Sequence, residues 1–207
     1  MCARPGAALC GSCRGAFVGL SPPVCERCGS PGAWPVRRCA ECSGRRLAFV
    51  RARSAVVYDS HARAFVRSWK EHGRRRLAAE AAALVAEIVA LPDVDELTHV
   101  PGDPERAWKR GVVPPRGLAV ALGEEWGLPT CEPLRRLRSL PRQRGLALAD
   151  RRRNVRGSVV AEGEVPRAVC LVDDVYTSGA TADACASALR RIGARRIEVV
   201  TFARAVR

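Results

Sequence analysis

The chain has 207 residues, 47% of them hydrophobic, which suffices for one domain of ordinary size and a small appendage. No apolar run is long enough to span a membrane, and arginine and proline interrupt the first 15 residues where a signal peptide would need an apolar stretch. We therefore expect a cytoplasmic protein without a membrane span. The net charge of +14 favours nucleic acid or phosphorylated ligands, with a solvated basic surface as the alternative.

The first part of the chain is rich in cysteine, glycine and proline, and we predict that residues 1–46 form a unit separate from residues 47–207. Three C-x-x-C pairs lie in this part: Cys10 and Cys13, Cys25 and Cys28, and Cys39 and Cys42. In a chain without a secretion signal, this spacing indicates metal binding and not disulfides. The second and third pairs supply four thiolates, a complete tetrahedral set for a structural zinc ion. Such an ion would stabilise a segment too small to bury a core of its own.

The first pair, Cys10 and Cys13, has only Cys2 as a further thiol nearby. We include Cys10 and Cys13 among the candidate zinc ligands, and whether they complete a second site with Cys2 stays open. A redox dithiol is the alternative interpretation. The three later cysteines are predicted to be buried small hydrophobic residues: Cys131, Cys170 and Cys185.

The body of the chain alternates between strand and helix patterns. We predict strands at 54–58, 96–100, within 129–138, at 159–160 (an edge strand), 167–172 and 198–202, and helices at 61–72, 76–90, 115–126 and after residue 179. This alternation predicts an α/β fold with a mainly parallel sheet flanked by helices. Ligands bind such sheets at the carboxyl ends of the strands, and polar residues follow two of these ends, after Val100 and after Val172.

The second of these ends carries the most specific pattern in the chain. An apolar run ends at Asp173 and Asp174, and the TSGAT loop (residues 177–181) then opens a helix. Its members are candidate phosphate ligands through backbone N–H groups, hydroxyl donors and a glycine that lets the backbone approach: Thr177, Ser178, Gly179, Ala180 and Thr181. The two carboxylates suit a diol, such as two ribose hydroxyls, or a hydrated magnesium ion. A strand end with acidic caps is the alternative.

This order of residues resembles the phosphoribosyl-pyrophosphate (PRPP) loop of type I phosphoribosyltransferases. Nearly the whole chain resembles the ComF (GntX-like) family, competence-associated proteins with N-terminal cysteine knuckles and a type I phosphoribosyltransferase body. The resemblance rests on residues 9–13, 25–29, 39–42, 100–101, 106–111, 141–143, 153–157 and 171–181. One departure concerns the usual R-G-F-N-Q segment, since Val112 and Val113 follow Arg110-Gly111 here. The pyrophosphate side therefore lacks its usual polar pair, which leaves catalytic activity open.

The resemblance implies a small zinc-ribbon unit joined to a phosphoribosyltransferase-like domain that binds PRPP with magnesium. It implies that the TSGAT loop cradles the 5-phosphate, that Asp173 and Asp174 act as the catalytic acidic pair on the ribose, and that Arg106 and Arg110 contact pyrophosphate. The arginine-rich segment 135–156 would close as a lid. Two functions follow: phosphoribosyl (pentosyl) transfer to an unidentified acceptor, associated with DNA uptake, or a non-catalytic protein that binds single-stranded DNA or competence-machinery proteins.

Overall fold

The computed structural model describes residues 9–71, 76–105, 108, 111–137 and 158–206. Arg106, Lys109, Arg110, Cys2 and most of the arginine-rich segment 135–156 lie outside these residues. The elements in chain order are α1 (Gly11–Gly15), β1 (Arg51–Val57), α2 (Ser60–Glu71), α3 (Arg76–Ile88), β2 (Glu96–His99), α4 (Pro114–Trp126), β3 (Leu134–Arg136), β4 (Val159–Ala161), β5 (Ala168–Tyr176), α5 (Ala180–Arg191) and β6 (Arg196–Arg204).

Four of the strands form one parallel sheet in the order β1-β6-β5-β2. The inner strands β5 and β6 are rich in valine and other apolar residues because helices cover both faces of the sheet. The predicted α/β architecture is thereby confirmed. The order also places the carboxyl ends of β2 and β5 next to each other, since Leu171 of β5 pairs with Thr98 of β2.

Strand β5 continues four residues beyond its predicted end at Val172. Asp173 pairs with Thr201 and Tyr176 with Arg204, because β6 is also longer than predicted and keeps bonding to β5. The acidic pair therefore belongs to the strand and not to a loop after it. Successive side chains of a strand point to opposite faces, so the two carboxylates leave the strand on opposite sides.

The core divides into two clusters, one on each face of the sheet. Cys170 and Val172 of β5 face a cluster built with α2, α3 and α4. Val169 and Leu171 face a second cluster built with α5 and the cysteine-rich segment, which contributes Cys25, Cys28 and Cys42. The described part of the cysteine-rich segment thus shares a core with the body, and the predicted domain boundary at residue 46 stays a prediction.

Three smaller findings complete the fold. Strand β4, predicted as an edge strand, pairs with β3 in a separate antiparallel sheet that packs on α5. Cys170 and Cys185 are fully buried as predicted. Cys131 is only half-buried, which corrects its prediction, because it lies on an extended segment beside β2 at the edge of the sheet. Among the described residues, no helix combines the length and apolar character needed to cross a bilayer.

Candidate functional site

A crevice of about 580 Å³ lies at the carboxyl ends of β2 and β5. Residues 100–103 form one wall, 112–115 a second, and the ends of β5 and α2 a third. The polar and charged side chains that line it come from five separate segments: Arg63, Arg67, Lys70, Asp103, Arg136, Asp173, Asp174, Thr177 and Thr181. The two strand ends that the sequence singled out therefore meet in one cavity.

The TSGAT loop turns sharply at Gly179, which has a φ of 70° and precedes the first residue of α5. A Cβ atom at this position would lie 2.2 Å from the Tyr176 hydroxyl, so only glycine fits. Ala180 donates its N–H to Ser178 Oγ at 3.4 Å. Helix α5 runs for 12 residues behind the loop, and its dipole favours negative charge at this end. The geometry suits a phosphate group.

The acidic pair is partly neutralised inside the protein. Lys70 of α2 donates to Asp174 Oδ2 at 2.6 Å, and the Asp174 side chain is only 10% exposed. Asp173 accepts the backbone N–H of Asp174 at 2.9 Å. Burial, together with the neighbouring Asp174 carboxylate, raises the pKa of Asp173 to about 7. Near neutral pH Asp173 is therefore partly protonated.

Lys70 is a site residue that sequence reasoning missed. It is one of only two lysines in the chain, and it sits at the end of a helix whose other face is buried. The rarity of lysine could have marked Lys70 as a candidate site residue. The local sequence pattern, however, does not indicate that this helix end contacts Asp174. The predicted pyrophosphate ligands Arg106 and Arg110 lie outside the described residues, so their role stays a prediction.

The second candidate site is formed by Cys25, Cys28, Cys39 and Cys42, whose sulfur atoms all lie within 4.8 Å of one another. The sulfur of Cys25 is 3.6 Å from that of Cys42, and the sulfur of Cys28 is 3.5 Å from that of Cys39. Tetrahedral zinc with bonds of about 2.3 Å requires sulfur atoms about 3.8 Å apart, so the four thiols fit the metal. They could hold a zinc ion of structural type, because all four positions are filled by protein.

The surroundings of the four thiols also suit a metal-bound thiolate. Cys39 donates its N–H to the Cys25 sulfur at 3.3 Å. Burial by itself would raise the pKa of Cys25, but backbone N–H groups of Cys28, Cys39 and Arg27 outweigh it and lower that pKa to about 7. Burial raises the pKa of Cys28 and that of Cys42. A bound cation would reverse those two shifts.

The first C-x-x-C pair lies in a different place. Cys10 directly precedes α1 and Cys13 lies within it, where His61 of α2 donates to the Cys13 carbonyl at 2.9 Å. Among the described residues, one cluster could hold a metal ion, and it consists of the second and third C-x-x-C pairs. A second zinc site at Cys10 and Cys13 would need ligands from outside that part of the chain, such as Cys2, and it stays a prediction.

The parallel sheet, the acidic pair and the TSGAT loop at the start of α5 agree with the type I phosphoribosyltransferase-like fold that the sequence resemblance implies, here with a four-cysteine cluster near the N-terminus. No family model matches the sequence. Competence protein F of Haemophilus influenzae is 35% identical over 105 residues, which are 48% of this chain and 46% of that protein. DNA utilization protein YhgH of Salmonella typhi is 29% identical over 188 residues, 85% of this chain and 82% of that protein. The chain is thus similar to a competence protein over about half of that protein's length, and to a DNA utilization protein over most of its own.

Solved structures with a similar fold include two kinds of enzyme. The allosteric regulatory enzyme of purine biosynthesis is 24% identical, with a TM-score of 0.41, over 60% of this chain and 25% of its own. Adenine phosphoribosyltransferase from Thermoanaerobacter pseudethanolicus is 14% identical, with a TM-score of 0.39, over 64% of this chain and 83% of its own.

Proposed function

We propose that the crevice binds PRPP or another 5-phosphoribosyl ligand and that the protein serves DNA uptake. The observation that carries the proposal is the TSGAT loop, which opens α5 in the same cavity as Asp173 and Asp174. The names of the two relatives, a competence protein and a DNA utilization protein, support the biological setting.

The parts of the ligand divide among the segments of the crevice. The TSGAT loop holds the 5-phosphate with backbone N–H groups and with the hydroxyls of Thr177, Ser178 and Thr181. Asp173 and Asp174 accept hydrogen bonds from the ribose hydroxyls. Magnesium bound with PRPP would neutralise charge on the pyrophosphate, and Arg106 and Arg110 stay its predicted contacts.

The chemistry expected of such a site is transfer of the phosphoribosyl group. The bond between C1 and pyrophosphate breaks through a cation-like transition state, so the protein contributes position and charge and needs no nucleophilic side chain. The acidic pair holds the ribose while positive charge develops at C1. An assay for pyrophosphate release from PRPP, screened over bases and amines, tests transfer and identifies the acceptor.

Thr181→Val should weaken binding of ribose 5-phosphate and PRPP alike by roughly tenfold to hundredfold, the scale of one hydrogen bond to a charged group. Thr181 is half-buried at the crevice, and valine keeps its shape while losing the donor. Isothermal titration in magnesium buffer measures both affinities. Ser187→Ala, on α5 but outside the crevice, is the control. Wild-type protein without saturable binding of either ligand would contradict the proposal.

A second candidate function is binding of single-stranded DNA without catalysis, and an arginine basin favours it. The basin is an open cavity of about 750 Å³ beside the cysteine cluster, lined by Arg27, Arg37, Arg38, Arg51, Arg53 and Arg196. Burial lowers the pKa of Arg53, and the positive charge of the neighbouring Arg51 adds to that shift. Glu198 pairs with Arg51 and Arg196 and offsets part of this charge. Such a basin suits a phosphate backbone.

Arg37→Ala should weaken binding of single-stranded DNA severalfold and equally across sequences. Its side chain is exposed in the basin, and each lost phosphate contact reduces the slope of log affinity against log salt by about 0.7. Fluorescence anisotropy at several salt concentrations measures both quantities. Arg116→Ala, an exposed arginine on α4, is the matched control. An unchanged slope in the Arg37 variant would remove the basin from the DNA-binding surface.

A further inference from the structure

Two arginines connect the cysteine cluster to the TSGAT loop. We propose that Arg45 is a positioning residue for the 5-phosphate, so that the metal-holding turns of the chain form part of the anion site. This inference rests on the proposed function, because it concerns affinity for the same phosphate. Amide exchange in the loop reports on the Arg45 contact without any ligand.

Arg45 reaches the loop from the turn that follows the last cysteine of the cluster. Its guanidinium donates from Nη1 to the Ser178 carbonyl at 2.8 Å, across 133 positions of sequence. The other end of Arg45 is fixed, since its N–H donates to the Cys42 carbonyl at 3.2 Å and its carbonyl accepts from Arg38 at 3.1 Å. The position of the guanidinium therefore follows the position of Cys42.

The contact with Ser178 determines where the next N–H group of the loop points. The Ser178 carbonyl and the Gly179 N–H belong to one planar peptide unit and face opposite ways. Arg45 lies at a separate cavity of about 570 Å³ with Ala180, Asp183 and Ala184, whereas Thr177 and Thr181 line the crevice. By holding the carbonyl on its own side, Arg45 turns the Gly179 N–H away from itself, where a phosphate can accept it.

Arg204 provides a second connection beneath the loop. It is fully buried and donates to the Cys28 carbonyl and to Glu41 Oε2, each at 2.6 Å. Its guanidinium carbon lies 4.6 Å from the centre of the Tyr176 ring, a cation–π contact. Tyr176 directly precedes the loop, and its hydroxyl occupies the space that a side chain at Gly179 would need. Tyr176, which supports the loop, is thus connected through Arg204 to the backbone at Cys28.

Both ends of helix α5 form hydrogen bonds to Ala48, a few residues after the last cysteine of the cluster. Asp183 in its first turn accepts the N–H of Ala48 at 2.7 Å, and Arg190 in its last turn donates to the Ala48 carbonyl at 2.6 Å. Together with Arg45 and Arg204, these bonds mean that a shift of the cysteine turns moves the loop. Coupling between two sites is reciprocal, so any effect of zinc at the cluster on phosphate affinity would be matched by an equal effect of phosphate on zinc affinity.

The test compares two adjacent arginines in the full-length, zinc-loaded protein. Arg45→Ala should weaken ribose 5-phosphate binding about threefold to tenfold, the scale of one hydrogen bond, and should speed amide exchange in residues 177–181 by a similar factor. Arg46→Ala should match wild type, because Arg46 lines the same cavity and is exposed, yet no bond to the loop fixes it. Arg45→Lys, which keeps a charged donor, should fall between. Zinc content should stay the same in all variants.

The outcomes separate this inference from the proposed function. Exchange rates in the loop that are equal for Arg45→Ala and wild type would overturn the positioning role, as would an equal loss of affinity in Arg45→Ala and Arg46→Ala. If wild-type protein binds neither ribose 5-phosphate nor PRPP, the proposed function fails. Faster loop exchange confined to Arg45→Ala would still support the connection between cluster and loop.

Discussion

Cys28→Ser should empty the metal site and lower the free energy of unfolding by about 4 kcal/mol or more, the range of structural metal loss. Cys28 is 2% exposed, and its sulfur lies 3.5 Å from that of Cys39 in the four-thiol set. Serine is a poor zinc ligand, and the three remaining sulfur atoms make an incomplete tetrahedral set. Metal analysis should give about one zinc per chain in the wild type, or two if Cys10 and Cys13 hold a second ion, and one fewer in the variant. Denaturant unfolding measures the loss of stability.

Two further cysteine variants make that experiment specific. Cys131→Ser removes a half-buried thiol outside the cluster and should retain the zinc. The double variant Cys10→Ser, Cys13→Ser addresses the first C-x-x-C pair: a fall from two zinc ions per chain to one would support a second site there. A Cys28→Ser protein with full zinc content and unchanged stability would show that the cluster is not a structural metal site.

Local sequence patterns were sufficient to predict most of the fold. The alternation of apolar runs and helical periods predicted the strands of the main sheet because each buried strand is a short, continuous apolar segment. The C-x-x-C spacing predicted the four-thiol cluster because each such turn brings two sulfur atoms together. The end of β5 was misplaced, since the apolar pattern stops at Val172 while the hydrogen bonds to β6 continue to Tyr176.

The contacts that shape the site were not predictable in this way. Lys70 meets Asp174 across 104 positions, and Arg45 meets Ser178 across 133. No periodicity or spacing encodes such pairs, because they depend on how α2 and the cysteine turns pack around β5. In a chain with 35 basic residues, composition also cannot tell a site arginine from a solvated one. The Arg45 and Arg204 contacts emerge only from the packed structure.

Asp174→Asn should reduce affinity for PRPP and for ribose 5-phosphate by about tenfold to hundredfold. The proposed role of Asp174 is to accept ribose hydroxyls, and asparagine keeps the shape while removing the charge that strengthens those bonds by roughly 1.5–3 kcal/mol each. The fold should lose less stability than that, because Lys70 is about one-third exposed and water can solvate its charge once Asp174 is replaced. Isothermal titration and denaturant unfolding measure the two effects separately.

Lys70→Met is the matched control for this prediction, since it removes the same ion pair and leaves the carboxylate in place. Ribose 5-phosphate is the appropriate probe for the comparison because it carries no pyrophosphate that Lys70 could contact. If Asp174 binds the ribose, the Lys70 variant should retain most of its affinity for this ligand while the Asp174 variant loses it. Equal affinities in wild type and both variants would mean that Asp174 serves only as the partner of Lys70 at the end of β5, and the ribose would then have to be held by other residues of the crevice.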